Sequence, residues 1–297
     1  MTLRRLVAAL GGDLYQGGTR ANVPAPGHSA ADRSISLALA GDRVLIHGFG
    51  SVDWRAARDD LARRGLIDAE GRLTGIGSVE GSAPRPDARV RLAVATRLWD
   101  EGHPLGEATP AALHLHRRGV TCGARAQSLR HNAGVPLAVY RGGTSTRPAL
   151  VARISDGEDR LTGVEVTYLD PAGRLATGLA VPRKTVGLVP GGAAVRLAVP
   201  GASMLVGEGV MTTLSAMERF GLRGWALMSA QNLARWTPPE TVRSVLIAAD
   251  RGAAGETAAE RLRARLTAAG LAVEAIWPDP PHGDWNDAAQ AGEGKEG

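Results

Sequence analysis

Val242-Arg243-Ser244-Val245-Leu246-Ile247-Ala248-Ala249-Asp250-Arg251-Gly252-Ala253-Ala254-Gly255-Glu256 passes from an apolar run through an aspartate into the start of a helix. The run Val242–Ala249 is short and rich in β-branched residues, which suits a strand buried on both faces. The same order recurs on either side of it. Ser203-Met204-Leu205-Val206 leads through Gly207-Glu208-Gly209 into a helix ending near Phe220, and Gly224-Trp225-Ala226-Leu227-Met228 reads as a further strand. Leu271-Ala272-Val273-Glu274-Ala275-Ile276-Trp277 follows a helix that runs to Ala268. Strands alternating with helices predict an α/β domain over residues 201–297, a parallel sheet flanked by helices.

In parallel sheets, functional groups collect just beyond the carboxyl ends of the strands. Glu208, Asp250 and the pair Asp284 and Asp287 all fall in such places. One acid there is commonly a helix cap. Several brought together repel one another unless a cation neutralises them, and hard oxygen ligands suit magnesium or manganese. Such a cluster can serve phosphoryl transfer by clamping the attacking and leaving oxygens.

Working outward, residues 126–200 predict an antiparallel sheet. Ala149–Ile154 and Gly163–Leu169 are β-like, with turns at Asp156-Gly157 and Asp170-Pro171-Ala172-Gly173. Residues 79–125 read as a linker, rich in Gly, Ser and Pro over 76–88, followed by helices at Ala88–Asp100 and Pro110–Arg118. Residues 1–78 read as a small unit. It comprises an amphipathic first helix, a Gly/Pro/Asn loop, a hairpin of Ser34–Leu39 and Arg43–His47, and a helix from Trp54 capped by Asp53.

Of 297 residues, 44% are hydrophobic and 22% charged, an ordinary globular composition without an apolar run near the roughly 20 residues of a membrane span. At the amino end Gly11-Gly12-Asp13 interrupts the apolar stretch before a signal-peptide core forms. The single Cys122 forms no internal disulfide and supplies no cysteine-rich zinc cluster, so a soluble protein of the reducing cytoplasm is expected. The net charge of +5 is unevenly spread, with 12 basic against 7 acidic residues over 101–200 and 9 against 12 over 201–297. That asymmetry is expected if the middle of the chain meets phosphate and its end holds cations, although on this observation alone a solvated surface of uneven charge is the first reading.

Three segments then carry a family resemblance: Gly207-Glu208-Gly209 with Thr213-Leu214-Ser215, Ile247–Glu256, and Gly283-Asp284-Trp285-Asn286-Asp287. In order and spacing they resemble the TOPRIM domain shared by DnaG-type primases and topoisomerases, and most of all the primase-like TOPRIM proteins of plasmids and phages. The resemblance implies Glu208 as catalytic acid/base and metal ligand. It implies Asp250 as the catalytic first aspartate of an Asp-x-Asp metal motif and Asp284 as the third metal-binding position. The second aspartate of that motif falls on Gly252 here. Losing that charge weakens the hold on a second cation or recruits Asp287 or Glu256 to the metal.

Upstream, Arg147–Ile154, Asp159–Val164 and Thr167–Asp170 resemble the basic subdomain that precedes TOPRIM in these primases and faces the template. This implies Arg147, Arg153, Arg174, Arg183 and Lys184 as nucleic-acid contacts, with affinity that falls as salt rises. Pro24–His28, the hairpin and Ile46–Val52 resemble the zinc ribbon that opens such primases. His28 is kept, but non-ligands around Val23 to Ala25, Gly48 and Val52 hold the cysteine positions, so a degenerate, zinc-free unit able to touch DNA is expected.

The implied activity is synthesis of short RNA primers on single-stranded DNA from nucleoside triphosphates, with Mg2+ or Mn2+. A separate replicative helicase is implied as partner, because no Gly-x4-Gly-Lys-Ser/Thr motif of a helicase motor is present. A catalytically weakened accessory protein and a TOPRIM nuclease are the alternatives. Gly48-Phe49-Gly50 lacks the third glycine of a dinucleotide fingerprint, and His114-Leu115-His116 near Cys122 reads as surface histidines on a short helix.

Overall fold

The computed structural model describes residues 3–15, 18–28, 32–49, 52–74, 86–141, 144–179 and 181–293. The chain forms two compact units, Met1–Arg85 and Pro86–Gly297.

In the first unit, helix α1 (Leu3–Leu10) precedes strands β1 (Asp13–Tyr15), β2 (Arg20–Val23), β3 (Ile35–Ala40) and β4 (Arg43–Gly48), paired antiparallel in that order. Helix α2 (Trp54–Arg63) starts at Asp53, whose carboxylate accepts the Arg55 N–H, and buries Ala57 and Leu61. The core gathers Leu3, Leu6, Ile35, Leu37 and Val44. It also includes Val23 and Ala25, with Val52 packed against it, so apolar side chains fill the stretch where zinc-binding cysteines would stand. His28 pairs with Asp32 at 3.0 Å. The Asp32 carboxylate also accepts the Ala25 N–H at 2.9 Å and bonds to the backbone and hydroxyl of Ser34. These bonds hold its pKa down to about 2 and fix the loop as a hydrogen-bonded hub.

The second unit opens with α3 (Ala88–Asp100), α4 (Pro110–Arg117) and a 3-10 turn at Cys122–Arg125. The antiparallel strands β5 (Leu129–Pro136), β6 (Thr146–Ser155), β7 (Leu161–Tyr168), β8 (Arg183–Gly187) and β9 (Ala194–Arg196) follow. Next come β10 (Ser203–Gly207), α5 (Val210–Phe220), β11 (Gly224–Ala226), α6 (Ala230–Arg235), β12 (Ser244–Ala248), α7 (Ala253–Ala268), β13 (Ala272–Ile276) and α8 (Trp285–Glu293). β13, β12, β10 and β11 run parallel, as expected for a chain of strands linked by helices. Each buried strand feeds both faces. Met204 and Val206 pack with Val245 and Ile247 beneath α6 and α7, and Leu205 packs with Ala248 beneath α5 and α8.

The boundaries expected at 125/126 and 200/201 do not separate compact bodies. The parallel and antiparallel strands form one sheet in the order β13-β12-β10-β11-β9-β6-β7-β8, with β5 on the other stretch of the β6 edge. Val195 in β9 makes the join, facing Ile154 of β6 on one side and Ala226 of β11 on the other. The helices α3 and α4, expected beside a linker, instead cover this sheet: α3 closes a core of Val151, Val164, Val166 and Val186, and α4 packs on Leu150, Ala152 and Ile154. Among the described residues no helix is long and apolar enough to cross a membrane.

Gly163 and Gly187 face each other across β7 and β8. Gly187 has φ +94°, and a Cβ there would stand 2.6 Å from the Gly163 Cα and 3.0 Å from the Ala95 Cβ of α3. Positive φ and overlap both penalise a side chain, so Gly187→Ala is expected to lower stability by about 2–4 kcal/mol. A urea titration checks this: a lower midpoint at unchanged slope is expected, and an unchanged midpoint contradicts the packing described.

Candidate active site: carboxylates at the ends of parallel strands

Three neighbouring parallel strands deliver the acids. β10 ends at Gly207 and is followed at once by Glu208, while β12 leads through Ala249 to Asp250. The loop after β13 is tied to the end of β12, because Arg251 donates its N–H to the Gly283 carbonyl at 2.8 Å and its Nε to the Pro278 carbonyl at 2.6 Å. Asp284 then caps α8, accepting the N–H groups of Asn286 and Asp287 on Oδ1 at 2.8 Å each.

Asp250 is the electrostatic centre. Its pKa is pushed up to about 7, first by burial and then by the charges of Glu208, Asp284 and Asp287, against a hydrogen bond from Thr212. Its Oδ1 is buried and accepts no hydrogen bond. Burial also raises Glu208, opposed by the Ala230 N–H. As the side chains are oriented, no three His, Cys, Asp or Glu residues among those described converge on a single point to ligate an ion. The donor set nevertheless fits a hard divalent cation, since it is all carboxylate oxygen and leaves a buried anionic atom without a partner.

Gly252 adopts φ +114° and ψ 150°, a conformation open to glycine and strained for aspartate. Its N–H is met by the Glu256 carboxylate at 3.2 Å. Glu256 thus serves the first turn of α7, and Asp287 is the additional acid that acts electrostatically on Asp250.

Arg118 escaped the sequence reading. Burial lowers its pKa, while Asp284 and Asp287 act to raise it, which places a half-buried guanidinium beside the acids. Its carbonyl is held by Asn286, which is fully buried and donates Nδ2 to Arg118 O at 2.7 Å and to Ser215 Oγ at 2.9 Å. Asn286 therefore joins α4, α5 and the acidic loop. The only sequence signal for Arg118 was an Arg-Arg-Gly end to a short helix, which reads as an ordinary C-terminus.

The five basic residues expected to meet nucleic acid divide. Arg183 is exposed on β8 within electrostatic reach of Arg118 and His114, and Arg147 is exposed with one bond to the Thr146 carbonyl. Arg153 is instead engaged by Asp159 at 2.7 Å and Arg174 by Asp170 at 2.8 Å, each bracing a turn. Lys184 donates to the Leu137 carbonyl at 2.7 Å and lies 4.8 Å over the Tyr168 ring, on the face opposite Arg183. His116 is exposed as expected. His114 is instead buried, because it lies on the face of α4 that packs on the sheet, with Nδ1 on the Gly173 carbonyl, and burial pushes the Cys122 thiol up to about 12.

The Toprim domain family (Toprim_3) matches residues 203–295, which hold β10 to α8 and all four acids. This part of the chain is a Toprim domain. Residues 89–197 match a domain of unknown function, DUF7146. No curated protein matches the chain in sequence. Among solved structures, the chain is similar to the Aquifex aeolicus primase zinc-binding and RNA polymerase domains, at 13% identity and TM-score 0.46, over 99% of this chain and 82% of that one. The E. coli primase catalytic core is similar at 15% identity and TM-score 0.45, over 70% and 77% of the two chains. The primase fragment of the bacteriophage T7 primase-helicase is similar at 16% identity and TM-score 0.39, over 60% and 69%.

The raised pKa values of Asp250 and Glu208 set a pH dependence. A proton is bound more tightly in the folded state, so this contribution is full below the ordinary 3.8 of aspartate and is lost as pH rises through about 7. In metal-free buffer the thermal midpoint is expected to fall from pH 5 to pH 8, and Asp250→Asn to reduce that fall. Mg2+ at pH 8 restores the midpoint of the native chain and not of the variant. Equal falls in both proteins would contradict the assignment.

Proposed function

We propose that the chain is a primase-related nucleotidyltransferase that joins ribonucleotides on a single-stranded DNA template. The observation that carries this reading is the buried, unpartnered Oδ1 of Asp250 among Glu208, Asp284 and Asp287, with Arg118 beside them and Arg183 within electrostatic reach of Arg118. The primase-like order of the three acidic segments around it supports the same reading.

Mg2+ or Mn2+ bound by Asp250, Glu208, Asp284 and Asp287 would supply charge neutralisation for a triphosphate and for the oxygens that exchange at phosphorus. Glu208, whose carboxyl is raised by burial, takes the proton of the attacking 3′-hydroxyl. The hydroxyl oxygen bonds to the α-phosphorus as the bond to pyrophosphate breaks. Arg118 and Arg183 hold phosphate oxygens, and Arg147 extends the basic surface to the template. A replicative helicase is the expected partner, in a plasmid or phage setting and in the cytoplasm.

A catalytically weakened, nucleic-acid-binding accessory protein is the second reading, and Gly252 favours it. At φ +114° the position resists an aspartate, so Gly252→Asp is expected to lower thermal stability and to add no metal affinity. The charge missing there falls to Asp287 under the enzymatic reading, and Asp287→Asn then weakens Mn2+ binding.

The purified full chain, given single-stranded DNA, the four ribonucleoside triphosphates and Mg2+ or Mn2+, is expected to make short RNA. Glu208→Gln should reduce synthesis by about a hundredfold or more. No synthesis with either metal, alongside retained DNA binding, supports the accessory reading, and DNA cleavage without nucleotides supports a nuclease.

A further inference from the structure

Strand register puts a carboxylate on the same sheet face as Arg183, where a phosphate-binding surface has no evident use for one. Glu165 of β7 stands opposite Ala152 of β6 and Thr185 of β8, and its face-sharing neighbour Thr167 stands opposite Leu150 and Arg183. Leu150 and Ala152 belong to the core under α4, so Glu165, Thr167, Arg183 and Thr185 continue that face as a polar floor. Val164, Val166 and Val186 point the other way, under α3. Glu165 is partly buried, forms no ion pair and accepts no hydrogen bond from the described residues. Arg183 is its charged neighbour, and burial raises its pKa against that attraction.

A carboxylate with no donor, drawn out of water, is destabilising and is tolerated where something else uses it. It repels phosphate. What it accepts is a hydrogen bond from a hydroxyl or an amine. Geometry links these groups: Arg183 stands diagonal to Glu165 on this face, α4 packs on the same face and ends at its C-cap Arg118, and the Arg118 carbonyl is bonded to Asn286, two residues from Asp284. A nucleoside triphosphate has a matching order, with anionic phosphates at one end and hydrogen-bond donors of sugar and base at the other.

We propose that Glu165 is a specificity-determining residue of this sheet face, accepting a hydrogen bond from the nucleoside end of a nucleotide whose phosphates lie at Arg183, Arg118 and the cation site. This rests on the nucleotidyltransferase reading above. A hydrogen bond to a charged acceptor discriminates by about tenfold or more against a ligand that lacks the donor.

The test is Mg2+-supported binding of ATP, dATP, UTP and inorganic tripolyphosphate to the full chain and to Glu165→Ala and Glu165→Gln. The native chain is expected to prefer ATP to dATP or to UTP by about tenfold. In both variants that preference collapses, while tripolyphosphate binds as well or better because a repelling charge has gone. Loss of the ATP/dATP preference assigns the donor to the sugar, and loss of the ATP/UTP preference assigns it to the base amine. The variants should unfold at the same or a higher temperature, which separates recognition from damage to the sheet. If the native chain binds nucleotides and both variants keep its preferences, the role of Glu165 is overturned while the site reading stands. If the native chain binds neither nucleotides nor tripolyphosphate, the site reading falls and this proposal with it.

Discussion

Repulsion among carboxylates held at the ends of adjacent parallel strands is the constraint around which the second unit is built. Glu208 and Asp250 follow β10 and β12, neighbours in the sheet, and the loop after β13 brings Asp284 and Asp287 beside them. The backbone cannot relieve this crowding, because hydrogen bonds of the ladder fix where each strand ends. Relief comes from protonation, from a cation, or from Arg118, a positive group on which Asp284 and Asp287 act. Thr212 and Asn286 keep the arrangement in place, one bonded to Asp250 and the other tying the acidic loop to α4 and α5.

A second consequence follows from the continuous sheet. Through Val195 the antiparallel strands that carry Arg183 and Glu165 belong to the same ladder as the strands that carry the acids. The strand that carries Arg183 and the strands that carry the acids are thus held in register by hydrogen bonds. A site that must hold both a cation and an anionic ligand gains from such preorganisation, since no domain closure is needed to bring opposite charges together.

The parallel half was legible because buried strands, loop acids and helix starts repeat with short spacing from Ser203 to Trp277. The acids were legible for the same reason: their positions are fixed by strand ends. The reach of the basic residues was not. Arg153 and Arg174 looked equivalent to Arg183 in sequence, yet Asp159 and Asp170 sit within hydrogen-bond distance of the first two, and alternation along β8 turns Lys184 away. Arg118 was hidden because its neighbours Asp284 and Asp287 are more than a hundred and fifty positions away in the chain. The division at 125 came from a change from helices to strands and that at 200 from a change of pattern, antiparallel to parallel, which a three-residue strand spans.

The central claim is that Asp250 Oδ1 is an anionic atom waiting for a cation. A crystal structure of the full chain soaked in Mn2+ tests it most directly, read by anomalous scattering. The account predicts an ion bonded to Asp250 Oδ1 at about 2.1–2.2 Å, with Glu208 or Asp284 completing the contact. An ion-free site at saturating Mn2+, with Asp250 Oδ1 hydrogen-bonded to a protein donor, would contradict it.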